Sequence, residues 1–147
     1  MFLVSACLAG VNCRYDGSNN QNKIVSKLVN DGKAIPVCPE VIAGLNIPRP
    51  CCEIKKNENN QKIVVNELGQ DLTAEFIESA HKCLEIVKTL DINKAILKAK
   101  SPSCGYGQIY DGTFSGNLIK GNGITAELLT QNSIKIYTEN DLNKLDL

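Results

Sequence analysis

The chain carries no net charge, because 16 Lys and Arg balance 16 Asp and Glu over 147 residues. No overall field therefore draws it towards nucleic acid or an anionic membrane, and a small uncharged or modestly anionic ligand suits it better. No apolar run approaches the roughly 20 residues that cross a bilayer. The apolar start, Met1 to Ala9, has no basic leading segment and runs into Gly10, Asn12 and Arg14, so it does not read as a signal peptide. A cytoplasmic protein with reduced thiols is expected. There are seven cysteines, an odd number, and none forms a Cys-x-x-Cys pair. That pattern fits neither a disulfide framework nor an ordinary zinc knuckle, and leaves core packing, catalysis or an unusual metal site. The only histidine, His81, lies between Glu78 and Glu85 on the polar side of a helical pattern, which argues against a catalytic role.

What is present fits one domain spanning residues 1–147, since this length supports one compact core and is short for two. Phe2 to Ala6 reads as a strand buried on both faces. Ile24, Val25, Leu28 and Val29 recur at helical spacing from Asn22, and Gly32 follows as the stop. Ala34 to Cys38 reads as a second strand, irregular or near an edge because Pro36 has no N–H. Glu53–Lys56 and Lys62–Val65 flank a polar tip and read as a hairpin or an extended excursion. The clearest helix runs from Thr73, as N-cap, to Leu90, with Phe76, Ile77, Ala80, Cys83, Leu84, Val87 and Leu90 as its apolar stripe. A third strand at Ala95–Lys98 leads into a Gly-rich loop, 101–123, read as irregular and functional. A helix from Ile124 and a strand at Ile134–Tyr137 complete the pattern. The fold class is therefore α/β: three layers, a mostly parallel, Rossmann-like sheet of about four strands, and flanking helices on right-handed crossovers.

In such a sheet ligands bind beyond the carboxyl ends of the strands. Cys7 follows the first strand, Cys38 ends the second and Cys104 lies past the third, so topology brings three distant thiols to one edge. Three thiolates suit a soft metal or an iron–sulfur cluster, and a cubane held by three leaves its fourth iron open as a Lewis acid. Glu40 and Ser101 fall beside these ligands. Cys83, on the apolar stripe, is explained by packing alone. Cys13, Cys51 and Cys52 are loop cysteines near the same edge, with fourth-ligand and packing roles both open. Arg14 and Arg49, the only arginines, sit in loops at this end, either anchoring substrate or a loop through forked hydrogen bonds or pairing with Asp16 or a carbonyl. Gly121-Asn122-Gly123 entering a helix is a weak signal for an anion cradle.

Three stretches carry a resemblance: Ser5-Ala6-Cys7-Leu8-Ala9-Gly10 with Cys13-Arg14-Tyr15-Asp16-Gly17; Pro36-Val37-Cys38-Pro39-Glu40 with Gly44-Leu45 and Pro48-Arg49; and Lys100-Ser101-Pro102-Ser103-Cys104-Gly105 with Tyr110-Asp111-Gly112-Thr113-Phe114. Together they resemble the thiouracil desulfidase family, in order and over nearly the whole chain. The resemblance implies a [4Fe-4S] cluster on Cys7, Cys38 and Cys104, a catalytic acid at Glu40, and a catalytic serine at Ser101, with Ser103 second. Cys51-Cys52 departs from the family pattern, which more usually has other residues there. Some relatives carry an added domain and act on thiolated bases in tRNA; the core module alone implies a free thio-base. The implied activity is non-redox desulfuration of a thiouracil-like base, releasing sulfide and uracil. Two other readings stand beside it. One is a non-catalytic iron–sulfur protein for electron transfer or redox sensing. The other is a cluster-free thiol enzyme using Cys7 or Cys104 as nucleophile.

Overall fold

A computed structural model describes residues 1–147. Its centre is a four-stranded parallel sheet of β1 (Phe2–Ser5), β2 (Ala34–Val37), β5 (Lys94–Leu97) and β8 (Lys135–Thr138), in the spatial order β2-β1-β5-β8. Alternation along the strands divides two cores. Phe2 and Val4 of β1 join Val25 and Leu28 of helix α1 (Lys23–Asn30), while Leu3 points the other way into a cluster with Cys83, Leu84 and Val87 of α3 (Thr73–Thr89) and Leu129 of α4 (Ile124–Gln131). Helices thus cover both faces, which a parallel sheet of continuous apolar strands requires. Burying each large aliphatic side chain here contributes roughly 1.5–3 kcal/mol.

The strand order places β2 at an edge, where Pro36 opposite Val4 is tolerated although it has no N–H to donate. Asn22 caps α1 by accepting from the N–H groups of Ile24 and Val25. Between β2 and α3 the chain forms the short helix α2 (Pro39–Ile42) and an antiparallel hairpin, β3 (Cys52–Lys56) with β4 (Lys62–Asn66). Cys52 and Ile54 of β3 pack with Val64, Phe76 and Ile109 in a third cluster, which seats this hairpin beside the carboxyl edge of the main sheet.

Three expectations change. Residues 101–123 are not wholly irregular: β6 (Gln108–Tyr110) and β7 (Leu118–Lys120) pair antiparallel, and Ile109 is driven into the third cluster. Thr73 is the first helical residue and not the N-cap. Its hydroxyl accepts the Val64 N–H at 2.9 Å and donates to Asp71 Oδ1, the atom that also receives the Thr73 N–H. Ile77 and Leu90 are about half exposed, because the helix turns Phe76, Ser79, Ala80, Cys83, Leu84 and Val87 inward instead. No helix is long and apolar enough to cross a membrane.

After β8 a 3-10 segment, Glu139–Lys144, begins with a capping box in which the Thr138 side chain and the Asp141 carboxylate satisfy each other's backbone. This fixed start aims Glu139 at the end of β5, where its carboxylate meets Lys98 Nζ at 2.8 Å and the Ala99 N–H at 2.7 Å.

Candidate active site

Each of the three distant cysteines is set by the end of a parallel strand. Cys7 lies in the 3-10 turn Ala6–Ala9 directly after β1, Cys38 is the residue between β2 and α2, and Cys104 closes the loop after β5. The last of these loops is the most heavily fastened. Ser101 Oγ accepts the N–H groups of Ser103 and Cys104 at 3.1 and 2.9 Å, and the first amides of α4, those of Ile124 and Thr125, donate to the carbonyls of Pro102 and Ser103. Those amides are spent on the loop, so the Gly121–Gly123 entry to α4 is no anion cradle. Its glycine has a different reason: a Cβ on Gly123 would sit 2.5 Å from the Ser103 carbonyl.

Cys7, Cys38 and Cys104 all line one cavity of about 530 Å³, together with Glu40, Ser101 and Ser103. Cys13, Cys51 and Cys52 line it too, whereas Cys83 is fully buried in the sheet–α3 core. Six of the seven cysteines thus face one space. No three His, Cys, Asp or Glu side chains close on a single point as one metal ion requires. A cluster of several irons offers separate corners, so thiols spread over the walls of one cavity fit it, and their softness suits iron–sulfur chemistry.

The thiols differ electrostatically. Hydrogen bonding with Cys13 lowers Cys38 to about 6 against the effect of burial, with help from the Val41 N–H, and the same bond pushes Cys13 up. Burial raises Cys7, opposed by a hydrogen bond from Asn20. Burial also raises Cys104, opposed by the hydroxyls of Ser5 and Ser103. Metal binding at this site is consequently coupled to loss of thiol protons.

Glu40 stands in the first turn of α2, 14% exposed, with Oε1 held by Arg49 Nε at 3.2 Å. Arg49 is itself fixed by the Cys13 and Asn46 carbonyls at 2.8 and 3.2 Å. Arg49 thus anchors loops through carbonyls, as one option had it, and adds a pairing with Glu40 that the sequence did not suggest, while Arg14 turns to Ser18 and Asn20 and Asp16 accepts from Ser18. The two candidate serines are unequal. Ser101 is half-buried; two N–H groups donate to its oxygen, and its hydroxyl meets Ser103 Oγ at 3.0 Å, so a Ser101–Ser103–Cys104 chain of hydrogen bonds runs along this wall. Ser103 is 1% exposed and directs its hydroxyl at Cys104 Sγ, 3.7 Å away. His81 is exposed on α3, outside the cavity lining.

A family model described as 2-thiouracil desulfurase matches residues 2–141. The chain belongs to the 2-thiouracil desulfurase family. A solved structure of a [4Fe-4S]-dependent thiouracil desulfidase, TudS, superposes with a TM-score of 0.88 at 40% identity, covering 98% of this chain and 93% of that one. The YbbK protein of Bacillus subtilis (strain 168), described as uncharacterized, is 42% identical over 150 residues, 99% of each chain.

Several residues at this cavity carry no clear signal in the sequence. Ser5, the buried last residue of β1, accepts the Lys98 N–H at 2.8 Å and hydrogen-bonds Cys104. Asn20 bridges Arg14 and Cys7. Glu53 lines the cavity from β3 although it is only 8% exposed. Ser5 does end a strand in the first motif, which is a usable signal; Asn20 and Glu53 offered none, because their partners come from other loops.

Proposed function

We propose that the protein hydrolyses the carbon–sulfur bond of a thiouracil-like base without net redox change, giving the oxo-base and sulfide. The single observation that carries this reading is the convergence of Cys7, Cys38 and Cys104 with Glu40 and Ser101 on one cavity. The 40% identity to a [4Fe-4S]-dependent thiouracil desulfidase over 98% of the chain supports it. On this reading residues 1–147 act as one catalytic module.

Cys7, Cys38 and Cys104 would hold a [4Fe-4S] cluster, whose iron without a protein ligand supplies a Lewis acid for the soft thione sulfur. The protein side of the chemistry falls to three groups. Arg49 occupies Glu40 Oε1, which orients the carboxylate and leaves Oε2 free of protein partners for a water. Glu40 takes a proton from that water as its oxygen attacks the ring carbon, a role worth about 10²–10⁴-fold in rate. Ser101, its oxygen held by two amides, turns its hydroxyl from Ser103 Oγ, 3.0 Å away, to donate to the charge that develops as the carbon–sulfur bond breaks. Ser103 supports the Cys104 sulfur from behind. The overall balance is thione plus water to carbonyl plus hydrogen sulfide.

A second reading, an electron-transfer or redox-sensing cluster, draws on Cys13, which lines the same cavity beside Cys38 and is the thiol placed to serve as a fourth ligand. One experiment separates the two. Anaerobically reconstituted protein given thiouracil yields uracil and sulfide in equal amounts if the desulfidase reading holds. An iron-loaded protein that produces neither would sink it in favour of the second.

A further inference from the structure

The proposed chemistry uses Cys7, Cys38, Cys104, Glu40 and Ser101, and leaves one wall of the cavity without a task. That wall is the loop Asp111–Asn117 between β6 and β7, which contributes Phe114 and Gly116 to the lining beside Tyr110. It is built as a fixed unit. The Asp111 N–H donates to the Asn117 carbonyl at 3.0 Å, and Asp111 Oδ1 accepts the Thr113 N–H at 2.9 Å. Gly112, at φ +91°, lies so close to β3 that a Cβ there would meet the Ile54 carbonyl at 2.8 Å.

The fastening is a buried carboxylate. Glu53 Oε1 accepts two main-chain N–H groups of this loop, Gly112 at 3.0 Å and Phe114 at 3.1 Å. A carboxylate 8% exposed is costly unless hydrogen-bonded, and these are the bonds it finds. The clamp holds Phe114 at φ +57°, a left-handed conformation that a bulky residue keeps only when its surroundings impose it. The side chain so placed belongs to none of the three apolar clusters, yet it is half-buried at the cavity. Three of the chain's seven aromatic residues, Tyr15, Tyr110 and Phe114, line this one space, a concentration that suits a planar ring.

We infer that Phe114 supplies the stacking surface that selects a planar heteroaromatic thione, and that Glu53 is the positioning residue that holds it there through the two main-chain bonds. The inference rests on the thio-base reading above. Its substrate class is cyclic, flat thioamides; the ring is recognised on its face by Phe114 while its sulfur and carbon meet the reacting groups.

The test separates ring binding from sulfur chemistry by using uracil, which lacks the thione, as a competitive inhibitor of the reconstituted enzyme. Stacking of a base on an aromatic side chain predicts that Phe114→Ala raises both the KM for thiouracil and the Ki for uracil by about tenfold or more, with kcat moving less than about threefold. Phe114→Tyr recovers most of that loss. Glu53→Ala reproduces the Phe114→Ala effect, Glu53→Gln, which keeps an acceptor oxygen, is milder, and the double variant Glu53→Ala/Phe114→Ala is no worse than either single one. If Glu53→Ala does not fold, Glu53→Gln and Phe114→Ala still decide. Unmoved KM and Ki in a turning-over Phe114→Ala enzyme, or effects of the two residues that simply add, would overturn the inference and leave the function standing. A wild-type enzyme without turnover would remove both.

Discussion

Replacing Glu40 with glutamine lowers kcat by about 10²–10⁴-fold while iron content and fold stay those of the wild type. The substitution is nearly isosteric, and its amide oxygen still accepts from Arg49 Nε, so the 3.2 Å contact that orients this side chain survives. What disappears is the group able to take a proton from water. Alanine would be a poorer probe, because it leaves the Arg49 guanidinium, 5% exposed, without its carboxylate. Single-turnover kinetics with thiouracil, alongside iron analysis of the same sample, check the prediction. Full activity in Glu40→Gln would remove Glu40 from the reaction. Ser101→Ala belongs with it: the two amides that Ser101 Oγ now accepts are left unpaired, yet the three cysteines keep their places on separate strand ends.

The second large effect concerns the thiols. Cys7→Ala, Cys38→Ala and Cys104→Ala each strip iron and labile sulfide from the protein and abolish turnover, whereas Cys83→Ala retains both. Cys83 is fully buried among Leu3, Val37, Leu84 and Val87, so its loss is felt only as packing. The other three meet at the cavity from the ends of β1, β2 and β5; the spare thiol beside them is Cys13, which follows Cys7 in the same connection and touches Cys38 through its carbonyl. Iron and sulfide analysis of anaerobically prepared variants, with circular dichroism to confirm folding, provides the measurement.

The framework of this site was legible because it follows from period and topology. The unbroken apolar run Phe2, Leu3 and Val4 announces a strand buried on both faces, and three strands ending near Cys7, Cys38 and Cys104 imply a common edge once the sheet is parallel. Local signals served equally well at the β3–β4 hairpin and at Pro36. The unread parts are those in which partners are remote. Ser5 meets the Lys98 N–H across 93 residues, and Glu53 meets Gly112 across 59. Neither separation leaves a trace in spacing or composition. The β6–β7 hairpin was obscured because its strands have three residues each amid glycines, and only burial of Ile109 against Ile54 and Phe76 makes it regular. Thr73 misled for a related reason: a hydroxyl at a helix start is a sound cap signal, but here Asp71 takes the amide and the hydroxyl turns to Val64.

These observations reduce to one claim, that three thiols hold a cluster and leave one of its irons to the substrate. Mössbauer spectra of the iron-57 reconstituted protein, recorded with and without thiouracil, test it most directly. The account predicts that one iron in four changes its environment on adding thiouracil while the other three keep theirs, and that Cys13→Ala responds in the same way. Spectra in which all four irons are alike and indifferent to thiouracil, or a thiouracil-sensitive iron that appears only when Cys13 is removed, would contradict it.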